Sequence, residues 1–149
     1  MPKYSRIIFV CRSNTSRSPM AEAIFKSMET NQDIEVMSRG SVVLFPEPVN
    51  PKVELVLKNN NLELLSTSTK QLEKKDIVEG TLILTMSEQL RLEVLSEFES
   101  FTDIYNLSEF VGETADVVDP YGGTLKEYEA CFTDLVRLVK KTVYKINEE

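Results

Sequence analysis

Apolar positions along the chain alternate between short β-type runs and helical stripes. Ile7-Ile8-Phe9-Val10 is unbroken, β-branched and aromatic, as a strand buried on both faces requires. Ser18-Pro19 then predicts a helix start, serine as cap and proline at the first helical position, with Met20, Ile24 and Met28 recurring every fourth residue. Ile34 to Met37 reads as a second strand. Asn50-Pro51 repeats the cap-and-proline start ahead of Val53, Val56 and Leu57. Thr81 to Met86 is the clearest strand, and Ser87 caps a helix with Leu90, Val94, Leu95 and Phe98 inward. Thr102 to Tyr105 is a weaker fourth strand. Leu125, Tyr128, Phe132, Leu135, Val139, Val143 and Ile146 step by three and four, predicting one long amphipathic helix. Strands alternating with helices predict the α/β class. The expected architecture is one three-layer domain over residues 1–149, a four-stranded parallel sheet with helices on both faces. Two loops remain, residues 38–49, with Pro46 and Pro48, and residues 113–123.

Composition narrows the function. The 149 residues are 42% hydrophobic and 28% charged, enough for one core without staples. Seventeen basic against 24 acidic residues leave a net charge of −7. A basic surface for nucleic acid or an anionic membrane is therefore not expected. There is no histidine, which excludes His triads, His bases and His metal sites. The two cysteines, Cys11 and Cys131, form neither a disulfide framework nor a zinc cluster. Unpaired thiols suit a reducing compartment, and the apolar run ending at Cys11 is too short for a signal core or a membrane span. A cytoplasmic monomer or weak dimer is the expectation. Cys131, between Tyr128 and Phe132 on the last helix, reads as core.

The chemistry sits after the first strand. Ligands of parallel α/β sheets bind outside the carboxyl ends of the strands. The segment there reads Cys11-Arg12-Ser13-Asn14-Thr15-Ser16-Arg17-Ser18. Successive N–H groups in such a loop, with the positive end of the next helix, form an anion cradle. Arg17 can grip two oxygens of a tetrahedral anion. Cys11 lies at the floor, where a helix N-terminus and an arginine favour thiolate. A thiolate there is a nucleophile aimed at phosphorus. Arg12, Ser13, Asn14, Thr15, Ser16 and Ser18 are the candidate phosphate- and substrate-binding residues, and Tyr121 is a candidate to stack on an aromatic substrate.

A cysteine, five residues, then Arg17-Ser18-Pro19, all behind the first strand, resembles the low-molecular-weight protein tyrosine phosphatases. Asp119-Pro120-Tyr121-Gly122-Gly123, just before the last helix, looks like that family's acid loop, and TLILTM and Asn50-Pro51 look like family blocks. The resemblance spans essentially the whole chain. It implies hydrolysis of phosphotyrosine on proteins through a phosphocysteine on Cys11, with Arg17 holding the phosphoryl oxygens and Asp119 moving the proton. Asn14 and Ser18 would shape the loop and hydrogen-bond the thiolate. No metal or cofactor is implied. The chain departs from the family pattern at four loop positions. Ser13 stands where glycine is usual, and Ser16 where many members carry a second cysteine, which excludes a protective vicinal disulfide. Arg12 is unusual. Thr15 replaces a common aliphatic residue, as in a bacterial branch of protein arginine phosphatases, so phosphoarginine is the alternative substrate. Arsenate reduction would need downstream resolving cysteines that are absent. A sugar-transport phosphocarrier would not need Arg17 or Asp119, and a phosphopeptide-binding pseudo-enzyme would have lost them.

Overall fold

The computed structural model describes residues 3–99, 101 and 103–148. Strands β1 (Arg6–Cys11), β2 (Glu35–Gly40), β3 (Thr81–Thr85) and β4 (Ile104–Asn106) form one sheet in the order β2-β1-β3-β4. Every pairing is parallel, and Cys11 lies opposite Gly40. Helices α1 (Arg17–Met28), α2 (Pro51–Asn59), α3 (Glu88–Glu97), the short α4 (Leu107–Phe110) and α5 (Leu125–Asn147) make the crossovers and the C-terminal cover.

The two faces of β1 explain the layers. Ile7, Phe9 and Cys11 point into the larger core with Met20, Ile24, Val53, Tyr128 and Leu135, so α1, α2 and α5 cover that face. Ile8 and Val10 point the other way, onto Leu72, Leu90, Val94 and Ile104, where α3 lies. A strand buried on both sides carries no polar position, which is why this run reads as continuous. The single three-layer parallel domain is as expected. Among the described residues no helix is long and apolar enough to cross a membrane.

Element ends differ where polar groups intervene. Helix α1 starts two residues before the Ser18-Pro19 signal, with Ser16 at the cap and Arg17 first. The first-turn N–H groups have no intrahelical acceptor, so proline is tolerated at the third helical position as well. Strand β2 runs on through Ser38 and Arg39 because both find buried partners. Ser38 donates to the Glu22 carboxylate at 2.8 Å, and Arg39 pairs with Asp76 at 3.2 Å. Burial pushes the Glu22 carboxyl above the usual range, and the Ser38 hydroxyl partly offsets this. Strand β4 covers Ile104–Asn106. Of the strand expected there, Thr102 lies outside the described residues. Asn50, Ser87 and Thr124 cap α2, α3 and α5 through their side chains.

Candidate active site

Residues 11–17 leave the carboxyl end of β1, turn over the start of α1, and are held from three sides. Ser41 N–H donates to the Cys11 carbonyl at 3.0 Å and Val42 N–H to that of Arg12 at 2.9 Å. Asn50 N–H donates to the Thr15 carbonyl at 3.0 Å. Asn14 takes φ 61, a left-handed conformation that asparagine tolerates better than most residues. Its side chain secures that turn, with Oδ1 accepting from Lys70 N–H at 2.9 Å and Nδ2 donating to Ser18 Oγ at 2.8 Å.

Ser18 Oγ in turn lies 2.9 Å from Cys11 Sγ. Asn14 therefore feeds a donor into Ser18, and the Ser18 proton can serve the sulfur. Of the two roles expected of Ser18, the cap position passes to Ser16 and the partnership with the thiol is the one the fold realises. Cys11 is buried on the floor of the loop, as its place at the end of β1 requires.

Arg17 extends from the first position of α1 beneath the 113–123 loop. Its Nη1 donates to the Val117 carbonyl at 2.9 Å, and its Nη2 lies 3.8 Å from Asp119 Oδ2. The guanidinium side chain is 11% exposed and the Asp119 side chain 52% exposed, so one partner is fixed and the other faces solvent. The loop itself is anchored: Val117 N–H donates to the Met86 carbonyl at 3.0 Å, and Asp116 accepts from Glu88 N–H at 3.1 Å and Asn106 at 2.9 Å. Asp119 Oδ1 accepts Tyr121 N–H at 3.1 Å, which aims the other oxygen at Arg17. The loop that carries the thiol and the guanidinium, six residues apart, thus meets through Arg17 a carboxylate more than 100 residues further along the chain.

The remaining candidates divide. Ser13 and Thr15 hydroxyls bond each other at 2.7 Å. Ser16 is buried, but its hydroxyl does not cap α1 and has no hydrogen-bond partner among the described residues. Arg12 points outward to Glu93, and Tyr121 is largely exposed. Cys131 is buried on α5, and burial pushes its thiol up to about 12, so it stays protonated at neutral pH.

Sequence reasoning missed several supports. The Val117 carbonyl and Lys70 N–H are backbone groups, which no residue pattern marks. Val42, Leu44 and Phe45 stand exposed beside Ser13, around a hollow of about 200 Å³. Their signal was an apolar run in a proline-bounded loop, where neither a strand nor a helix accounts for it. Gly40 was also missed. A Cβ there would lie 2.9 Å from the Arg12 carbonyl oxygen and 2.5 Å from Val43 Cγ2. The loop backbone packs against the bare edge of β2. Gly40→Ala is expected to push the loop off its bonds and lower kcat/KM by roughly tenfold or more, the consequence of about 1–3 kcal/mol of overpacking. Kinetics beside a melting curve checks this: full activity would show that the loop yields freely.

The sequence pattern of a family described as low molecular weight phosphotyrosine protein phosphatase matches residues 6–149. A low molecular weight protein-tyrosine-phosphatase of Staphylococcus haemolyticus is 39% identical over 137 residues, 91% of this chain and 96% of that protein. The solved arginine phosphatase YwlE from Geobacillus stearothermophilus superposes with a TM-score of 0.88 at 30% identity, covering 96% of this chain and 93% of that one. A cysteine-to-serine mutant of the YwlE arginine phosphatase, described as having a phosphorylated active-site serine, reaches a TM-score of 0.89 at 30% identity, with 97% of each chain covered.

Proposed function

The chain belongs to the low molecular weight phosphotyrosine protein phosphatase family, and on that premise we propose that it hydrolyses phosphotyrosine in proteins, with Cys11, Arg17 and Asp119 as its reacting groups. The observation that carries this is the Asn14–Ser18–Cys11 hydrogen-bond chain within the same loop-and-helix start whose Arg17 also meets Asp119. In the first step Cys11 Sγ attacks phosphorus, an S–P bond forms and the P–O bond to tyrosine breaks. Asp119 gives its proton to the departing oxygen. Arg17 and the loop N–H groups hold the three non-bridging oxygens as charge shifts among them. In the second step water attacks phosphorus, the S–P bond breaks, and Asp119 recovers a proton from that water. Asn14 and Ser18 keep the loop open and stabilise sulfur as it leaves. Ser13, Thr15 and Ser16 contribute backbone to the cradle, and Tyr121, whose N–H bonds the Asp119 carboxylate, offers its exposed ring to an aromatic substrate.

Residues 1–149 act as one phosphatase domain. Two unpaired cysteines and a net charge of −7 support a cytoplasmic monomer or weak dimer acting on phosphoproteins. Hydrolysis of a phosphotyrosine peptide in the presence of a chelator tests the reading, and no turnover above background would remove it.

One observation favours phosphoarginine as a second substrate. Thr15 carries its hydroxyl at the loop rim, held by Ser13 at 2.7 Å, and an oxygen so placed retains a lone pair for a guanidinium N–H. The YwlE relatives, named as arginine phosphatases, are consistent with it. The sulfur, Arg17 and Asp119 treat any phosphoryl group alike, so the walls must discriminate. Thr15→Ile is expected to lower phosphoarginine hydrolysis at least tenfold, within the roughly 10–200-fold worth of a wall contact, and to spare phosphotyrosine hydrolysis. Side-by-side rates on the two peptides check this, and equal scaling of both would leave Thr15 as scaffold.

A further inference from the structure

Arg12 runs against the overall charge of the chain. The chain is acidic overall, yet Arg12 and Arg17 line one hollow of about 130 Å³ together with Ser87, Gln89 and Leu90. Arg17 forms its inner wall and is already engaged by Val117. Arg12 forms its outer wall, with its backbone fixed by the Val42 N–H bond and its side chain 58% exposed. Among the described residues only Glu93 hydrogen-bonds that guanidinium, at 3.2 and 3.3 Å through a single nitrogen, Nη2. Glu93 is itself 40% exposed, so the pair is solvated, worth about 0–1 kcal/mol, and easily exchanged for another oxyanion. One nitrogen carries the whole contact, and a bidentate grip is left unused. The hollow exceeds the roughly 30 Å³ of one water several-fold.

From this arrangement we propose that Arg12, with the hollow it shares with Arg17, is a specificity-determining subsite for a second oxyanion on the substrate. That oxyanion is the carboxylate or phosphoryl group of a residue flanking the phosphorylated one. The inference rests on the phosphatase reading and deepens it. Arg12 directly follows Cys11, and extended peptide advances about 3.3–3.6 Å per residue, so a group at Arg12 belongs to a residue adjacent to the one under attack. Glu93 is the internal competitor that the substrate displaces. An acidic protein thereby accepts an acidic peptide at one point of its surface.

The test uses the intact protein and three peptides matched except beside the phosphotyrosine: alanine neighbours, glutamate neighbours, and a phosphoserine neighbour. The unaltered protein is expected to favour the acidic peptides by about tenfold in kcat/KM, the worth of one charge-assisted hydrogen bond. The gain should lie in KM and shrink as salt rises. Arg12→Gln should bring the acidic-to-neutral ratio near one, Arg12→Lys should keep part of it, and Glu93→Gln should raise it. Preference for phosphoserine over glutamate neighbours would name a second phosphoryl group as the source, and equal preference the shared oxyanion. No acidic preference in the unaltered protein, or one that survives Arg12→Gln, would overturn the subsite while the neutral peptide's turnover leaves the phosphatase reading standing. Failure to hydrolyse any of the three would remove both.

Discussion

Cys11→Ser abolishes catalytic turnover and leaves anion binding partly in place. Sulfur must be a strong nucleophile in the first step and a good leaving group in the second. A serine oxygen is protonated at neutral pH, so attack is slow, and a P–O bond to serine does not yield to water as an S–P bond does. The rest of the cradle is untouched, because the Asn14–Ser18 bond, the Lys70–Asn14 bond and the Arg17–Val117 bond do not involve sulfur. The expected product is at most one phosphoryl group per chain, covalently held and slowly released. The solved relative with a phosphorylated active-site serine is consistent with that end point. Intact-mass analysis and phosphate release under excess substrate measure it. Release of many phosphates per Cys11→Ser chain would assign the nucleophile elsewhere.

Asp119→Ala lowers hydrolysis by about 10²–10⁴-fold, the usual worth of a positioned general acid. The loss belongs to chemistry and not to loop collapse, because Val117 holds the loop on both sides, to Met86 at 3.0 Å and to Arg17 at 2.9 Å. Arg17 stands 3.8 Å from Asp119, too far for a hydrogen bond, so it keeps its main partner in the variant. Asp119→Asn retains an acceptor for Tyr121 N–H and serves as the geometric control. The deficit is expected to grow with leaving-group pKa across a series of aryl phosphates, since only a poor leaving group needs the proton. A uniform loss across that series would place the proton donor elsewhere.

The legible part of the site was local. Cys11 and Arg17 belong to one turn between one strand and one helix, and such a turn has few backbone solutions, so spacing alone brought them together. Asp119 was different. An Asp-Pro pair is an ordinary turn by itself, and only the family resemblance singled it out. Ser18 carried two readings, a helix cap from serine before proline and a thiol partner from the family resemblance. The fold kept the second, since α1 begins earlier and leaves the Ser18 hydroxyl beside sulfur. The end of β2 was missed because Ser38 and Arg39 are polar, and only the partners Glu22 and Asp76, distant in sequence, make them strand residues.

By itself, the sequence determined the alternation of strands and helices, the parallel sheet, the caps of α2 and α3, and the loop that carries Cys11 at its floor. All of these depend on neighbours within a turn or a short run, where hydrophobic period, capping and loop geometry act directly. Tertiary structure alone decided what surrounds the cradle. It laid the 113–123 loop against Arg17 through the Val117 carbonyl, seated the loop on Gly40, and turned Arg12 toward Glu93. Those contacts join residues 28 to 100 positions apart through backbone atoms, close approach and solvated charge. None of these leaves a periodic mark in sequence, because each is set by which surfaces meet once the sheet has closed.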